Sequence, residues 1–146
     1  MSTEFSLSPR RTDAPPVGVW PQTRRKVLLA EADSLVADDF RQALEAMGFE
    51  VIGPAATLDE ALALASTSQS LHGAVLDIRL GEEPIYAVAD VLRTRSAPFV
   101  FVTAHDPIDI PHAYQSAPFW PKPIAGEALA AQLQGVMGAH APVQER

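Results

Sequence analysis

A chain of 146 residues and 15.7 kDa makes one domain of ordinary size, and 47% hydrophobic against 20% charged side chains supplies enough apolar surface for a core. No run of about 18 apolar residues is present, no apolar segment follows the start as a secretory signal would, and the absence of cysteine excludes disulfides, thiol catalysis and cysteine-bound zinc. The net charge of −7 is uneven: Arg10, Arg11, Arg24, Arg25 and Lys26 meet only Glu4 and Asp13 near the start, so the body is strongly acidic and direct DNA binding is disfavoured.

Four of the 13 prolines (Pro9, Pro15, Pro16, Pro21) fall early, among Ser, Thr and Arg. This predicts a flexible arm over residues 1–24, with Trp20 as its one anchoring side chain. The folded part is predicted over residues 25–138, with a frayed tail at 139–146 and a cytoplasmic location. Val27-Leu28-Leu29-Ala30 reads as a buried strand. The following SLVADDFRQALEAMG repeats Val36, Phe40, Leu44 and Met47 at helical spacing. Ser34 is suited to cap that helix and Gly48 to end it. Glu50 to Gly53 is a second short strand. Thr57-Leu58-Asp59-Glu60 has capping-box spacing and opens a second helix.

Gly73 to Asp77 is a third strand, apolar until its last residue. A helix through Val88, Val91 and Leu92 follows, and then a fourth strand from Pro98 to Thr103. Residues 106–117 are weakly helical at best, because Pro107 and Pro111 interrupt them. Phe119-Trp120 is a fifth strand. GEALAAQLQGVMG is a last helix with Leu129, Leu133 and Val136 on one face. The order is (βα) five times over. Uniformly apolar strands are buried on both faces, which implies an α/β fold with a five-stranded, doubly wound parallel sheet.

In such a sheet, ligands bind beyond the carboxyl ends of the strands. Glu31 follows the first strand, Asp77 ends the third, Thr103 ends the fourth, and Lys122 follows the fifth within Pro121-Lys122-Pro123. Two carboxylates, a hydroxyl and an ammonium are thus expected on one rim. Carboxylate oxygens suit Mg²⁺, a carboxylate can attack a phosphoryl group, and the ammonium and hydroxyl can hold its oxygens. Each residue alone has a plainer role: helix cap for Glu31, strand or loop chemistry for the others. Their joint order carries the reading.

The residues Ala30-Glu31-Ala32-Asp33, the VLDIRLG around Asp77, FVFVTA and PKP together resemble the receiver domain of bacterial two-component response regulators over about residues 25–138. GPAATLDEALALA, AVLDIRLGEE and VADVLRTR are similar to single-domain receivers of alphaproteobacteria. The resemblance implies a flavodoxin-like strand order 2-1-3-4-5. It implies Asp77 as acceptor of a phosphoryl group from a histidine kinase, of HWE type, or from a phosphotransfer protein. Thr103 and Lys122 would hold the phosphoryl group, with Mg²⁺ on Glu31, Asp77 and the backbone carbonyl of Arg79. Thr103 and Phe119 would form the switch. Such a chain catalyses only its own phosphorylation and dephosphorylation. It signals through a downstream protein partner, without DNA or membrane and with a homodimer as one option, since residues after 138 are too few for a DNA-binding module.

One position departs from the pattern. Receivers carry two adjacent acidic residues after the first strand, and here the second is Ala32. A methyl group cannot coordinate Mg²⁺, so water must fill that place and binding is weaker. The alternative is a degenerate pseudo-receiver that binds partners without phosphorylation. His105, two residues after Thr103, reads as a solvated loop side chain. A phosphatase using an Asp nucleophile is disfavoured, since its second carboxylate would stand where Arg79 does. A dinucleotide fold is excluded, because no glycine-rich first turn is present.

Overall fold

The computed structural model describes residues 24–104 and 110–139. The arm up to residue 23 with Trp20, His105 and Pro107, and the tail after residue 139 lie outside the described residues. The elements are β1 (Lys26–Ala30), α1 (Ser34–Ala46), β2 (Glu50–Ala55), α2 (Leu58–Thr67), β3 (Leu71–Asp77), β4 (Arg79–Leu80), β5 (Glu83–Pro84), α3 (Tyr86–Thr94), β6 (Phe99–Thr103), a 3₁₀ turn (His112–Tyr114), β7 (Phe119–Pro121) and α4 (Gly126–Ala139). The main sheet is parallel in the order β2-β1-β3-β6-β7. Counting its five strands alone, this is the expected 2-1-3-4-5 arrangement.

The apolar runs split between two faces because successive strand side chains point opposite ways. Val27, Leu29, Val75, Val100 and Val102 pack under α1 and α4 with Phe40, Leu44, Leu129, Leu133 and Met137. Leu28, Ala30, Ala74, Leu76, Phe99 and Phe101 pack against α2 and α3 with Ala61, Ala65, Val88 and Leu92. The buried stripes differ slightly from the periodicity reading. In α1 they are Ala37, Phe40 and Leu44, while Met47 serves as the C-cap and is exposed. In α4, Met137 rather than Val136 is fully buried.

Three local expectations are corrected or refined. Asp33, not Ser34, caps α1: its Oδ1 accepts the N–H of Leu35 at 2.9 Å and of Val36 at 3.2 Å. Residues 79–84 form a small antiparallel hairpin in a stretch to which the sequence reading assigned no element. Gly81 turns it with φ +65°, a conformation that glycine adopts without steric cost. Among its described residues, the fourth connection holds one 3₁₀ turn, which begins directly after Pro111.

At the amino-terminal end of the strands, β3 carries one extra residue against β1: Lys26 pairs with Leu71, and Val27 with Gly73. The extra residue is His72, whose ring Nδ1 accepts the Lys26 N–H at 2.9 Å. Burial, and then the charges of Arg25 and Lys26, hold His72 below its ordinary value of 6.5. The fold therefore prefers the neutral ring. Above about pH 6.5 neither the folded nor the unfolded state takes a proton there; below it the unfolded chain takes one that the fold resists. Stability should thus fall as pH drops through that value, and His72→Gln should flatten this part of the urea-midpoint profile. Identical wild-type and variant profiles would show that His72 does not contribute.

Candidate functional site

Strand register brings the four predicted residues together. Ala30 pairs with Leu76, so Glu31 and Asp77 follow on neighbouring strands. Asp77 pairs with Val102, which places Thr103 one step further along the next strand. Thr103 pairs with Pro121, and the Lys122 N–H donates to the Thr103 carbonyl at 2.8 Å. Glu31, Asp77 and Thr103 are the buried polar side chains among the described residues.

The ammonium of Lys122 is the centre of the arrangement. Its Nζ donates to Asp77 Oδ2 at 2.8 Å and lies 2.7 Å from Glu31 Oε1. The second contact pairs the charges but lacks hydrogen-bond geometry, and Glu31 Oε1 is buried with no hydrogen-bond donor. The other oxygen, Oε2, accepts the Asp33 N–H at 3.0 Å. Asp33 thus caps α1 with its side chain and orients Glu31 with its backbone. The sequence reading, which gave the cap to Ser34, missed this second role, which depends on the chain's turn out of β1.

Burial is the main cause that pushes the Glu31 carboxyl above its ordinary value, with help from the Asp77 charge; Lys122 and the Asp33 N–H pull the other way. Burial alone would depress the Lys122 ammonium, but its hydrogen bond to Asp77 and its close charge pairing with Glu31 outweigh that and hold it above the usual lysine value. The pair is thus a charged latch over two carboxylates that would otherwise repel each other.

The donor set for Mg²⁺ can be tested here. Glu31 Oε1 is a buried acceptor without a donor, and Asp77 lies across the ammonium from it. Arg79 donates its N–H to Asp77 Oδ1 at 3.3 Å. Arg79 opposes Pro84 as a non-hydrogen-bonded pair, flanked by the Ile85 N–H donating to the Ile78 carbonyl at 2.8 Å, so the hairpin does not spend the Arg79 carbonyl. These are hard oxygens of the kind Mg²⁺ takes, and Mg²⁺ keeps several waters. Ala32 is exposed and supplies nothing. No group of three or more acidic or histidine side chains gathers at one point among the described residues. The residues fit a cation held by two carboxylates, a carbonyl and water.

A cleft of about 460 Å³ opens beside Lys122 between α1 and the loop after β7; Leu35, Val36, Phe40 and Ile124 give it apolar walls. Phe119 is half-buried against the α2/α3 core, so core packing accounts for its position. Near it, Tyr86 stacks on Tyr114 with ring centroids 4.6 Å apart and meets Phe101 edge-on at 6.0 Å. The Arg93 guanidinium lies 4.9 Å from the Tyr114 ring and donates to the Ala113 carbonyl at 2.8 Å. The Tyr114 hydroxyl donates to Asp90 Oδ1 at 2.8 Å. This clasp ties the 3₁₀ turn to α3.

No family model matches the chain. The phyllosphere-induced regulator PhyR of Methylorubrum extorquens is 37% identical over 82 residues, which are 55% of this chain and 31% of that protein. The chain therefore matches about a third of that relative's length. A response regulator receiver protein from Sinorhizobium medicae superposes with a TM-score of 0.69 at 21% identity, covering 81% of this chain and 98% of the other. A response regulator from Burkholderia pseudomallei, solved with a phosphorylated aspartic acid, a calcium ion and citrate, gives 0.62 at 22% identity over 79% of this chain and 69% of the other. The chain has the fold of response regulator receiver (CheY-like) domains. No helix among the described residues is long and apolar enough to cross a membrane.

Proposed function

We propose that this receiver accepts a phosphoryl group on Asp77 from the phosphohistidine of a sensor kinase, of HWE type, or of a phosphotransfer protein. The observation that carries the reading is the Lys122 ammonium lodged between Glu31 and Asp77 at the rim where Thr103 ends β6. An Asp77 oxygen attacks phosphorus; the new O–P bond forms as the donor's N–P bond breaks, and that electron pair returns to the ring nitrogen. Lys122 is placed to follow the charge from the carboxylate onto a phosphoryl oxygen. Thr103 supplies a hydroxyl to the same group. Glu31, Asp77 and the Arg79 carbonyl would hold Mg²⁺, which would supply charge neutralisation at the phosphoryl oxygens. Added negative charge then biases the Thr103 and Phe119 side of the domain.

Output goes through contact with a downstream protein in the cytoplasm, and the acidic body argues against DNA. The chain turns over nothing beyond its own phosphorylation and dephosphorylation. The relative with a phosphorylated aspartic acid and a calcium ion supports the chemistry by analogy of fold.

A second reading is favoured by Ala32 alone: a pseudo-receiver that docks partners without phosphorylation. One experiment separates the two. With Mg²⁺ and phosphoramidate, intact mass should show one phosphoryl group on the wild type. Ala32→Asp, which adds a ligand, should bind Mg²⁺ several-fold more tightly and label faster. Labelling of Ala32→Asp alone establishes the pseudo-receiver, and labelling of neither removes Asp77 as an acceptor.

A further inference from the structure

We infer that Asp39 is a positioning residue for Lys122, holding from α1 the loop that carries the ammonium. The inference rests on the phosphotransfer reading only for why the placement of Lys122 matters. It starts from an omission in the sequence. The first intrahelical bond of α4 runs from the Leu129 N–H to the Ala125 carbonyl at 3.0 Å, so Ala125 stands where a capping side chain belongs. Alanine has no oxygen to offer the free N–H groups of the first turn.

The cap comes from another helix. Asp39 Oδ2 accepts the Gly126 N–H at 2.8 Å, and a carboxylate there also meets the positive end of the helix dipole. The approach is so close that only glycine fits. A Cβ at position 126 would lie 2.6 Å from the Asp39 carbonyl oxygen and 2.9 Å from Asp39 Oδ2. Pro123, Ile124 and Ala125 are all that separates this anchor from Lys122. The other end of the loop is fixed where the Lys122 N–H joins β6.

The same helix governs the opposing carboxylate, since Asp33 at the start of α1 holds Glu31 Oε2. Helix α1 therefore sets both sides of the 2.7 Å contact between Glu31 and Lys122. Asp39 lines the cleft beside that ammonium. Asp38, its neighbour, is instead engaged with Arg41 and Gln42 on the exposed face of α1. It provides a control of equal charge.

The chain has two lysines, Lys26 and Lys122. Reductive methylation with formaldehyde and dimethylamine–borane, read by peptide mass spectrometry, thus reports the exposure of Lys122 against an internal reference. In the full chain, Asp39→Ala should raise the Lys122 rate relative to Lys26 by about fivefold, the factor that loss of a typical helix cap corresponds to. Asp39→Asn keeps an acceptor oxygen and should restore most of the protection. Asp38→Ala should match wild type. Phosphoramidate labelling of Asp77 should slow by a similar factor in Asp39→Ala, with recovery in Asp39→Asn. Equal Lys122 reactivity in Asp39→Ala and Asp38→Ala overturns the inference. A wild type that never labels overturns the phosphotransfer reading instead, and the lysine assay still decides the role of Asp39.

Discussion

Replacing Asp77 by Asn should reduce phosphoryl uptake to background while leaving the domain folded. An amide has no oxygen nucleophile of carboxylate strength, so no O–P bond forms at position 77. The packing argument predicts that little else changes. Asn Oδ1 can still accept one of the two hydrogen bonds now made to Asp77, from Arg79 N–H at 3.3 Å or from Lys122 Nζ at 2.8 Å. Loss of the Asp77 charge also removes one of the causes that raise the Glu31 carboxyl. The check is intact mass after phosphoramidate and Mg²⁺, beside a urea denaturation curve. A phosphoryl group still carried by Asp77→Asn would move the acceptor elsewhere.

Lys122→Met should have the largest effect on stability. The Glu31 side chain is 2% exposed, and Lys122 supplies the counter-charge to its Oε1. Removing one partner of a buried pair leaves the other charge uncompensated, at a cost of about 3 kcal/mol. The sign of its pH dependence follows from Glu31, which already titrates above its ordinary 4.5 in the fold. Below that value both folded and unfolded chains carry the proton and the loss of the ammonium matters least. As pH rises, the unfolded chain ionises freely while the fold must keep the proton or bury a bare charge. The deficit of Lys122→Met against wild type should therefore be small near about pH 4 and full near about pH 7. Urea midpoints at the two pH values test this. An equal deficit at both would mean that Glu31 does not depend on Lys122.

Apolar runs ending in single polar residues made the sheet and its rim legible in the sequence. Val27 to Ala30, Gly73 to Leu76 and Phe99 to Val102 have no polar interruption, and only a strand covered on both faces tolerates that. Once the strands are parallel, Glu31, Asp77, Thr103 and Lys122 must share an edge. The hairpin at 79–84 was not legible, because two-residue strands are too short to show alternation. The sequence reading gave the cap of α1 to Ser34, although the adjacent Asp33 has similar capping strength. The Leu35 and Val36 N–H groups, both donating to Asp33 Oδ1, decide for Asp33. The bond from Gly126 to Asp39 spans 87 positions, and no local pattern announces it. A helix beginning Ala-Gly without a capping oxygen was the available signal.

The clasp of Tyr86, Tyr114 and Arg93 has an optical consequence. The chain has two tyrosines, and both lie in that stack, with rings 21° from coplanar. Their near-ultraviolet circular dichroism is thus a private signal of the joint between the 3₁₀ turn and α3, unmixed with tyrosine elsewhere. Trp120 sits two residues before Lys122 on β7 and absorbs further to the red; with Trp20, the other tryptophan, replaced by Phe, its band reports that strand alone. Titrating a phosphodonor while watching the two bands would follow the rim and the flank of the domain separately, in one cuvette.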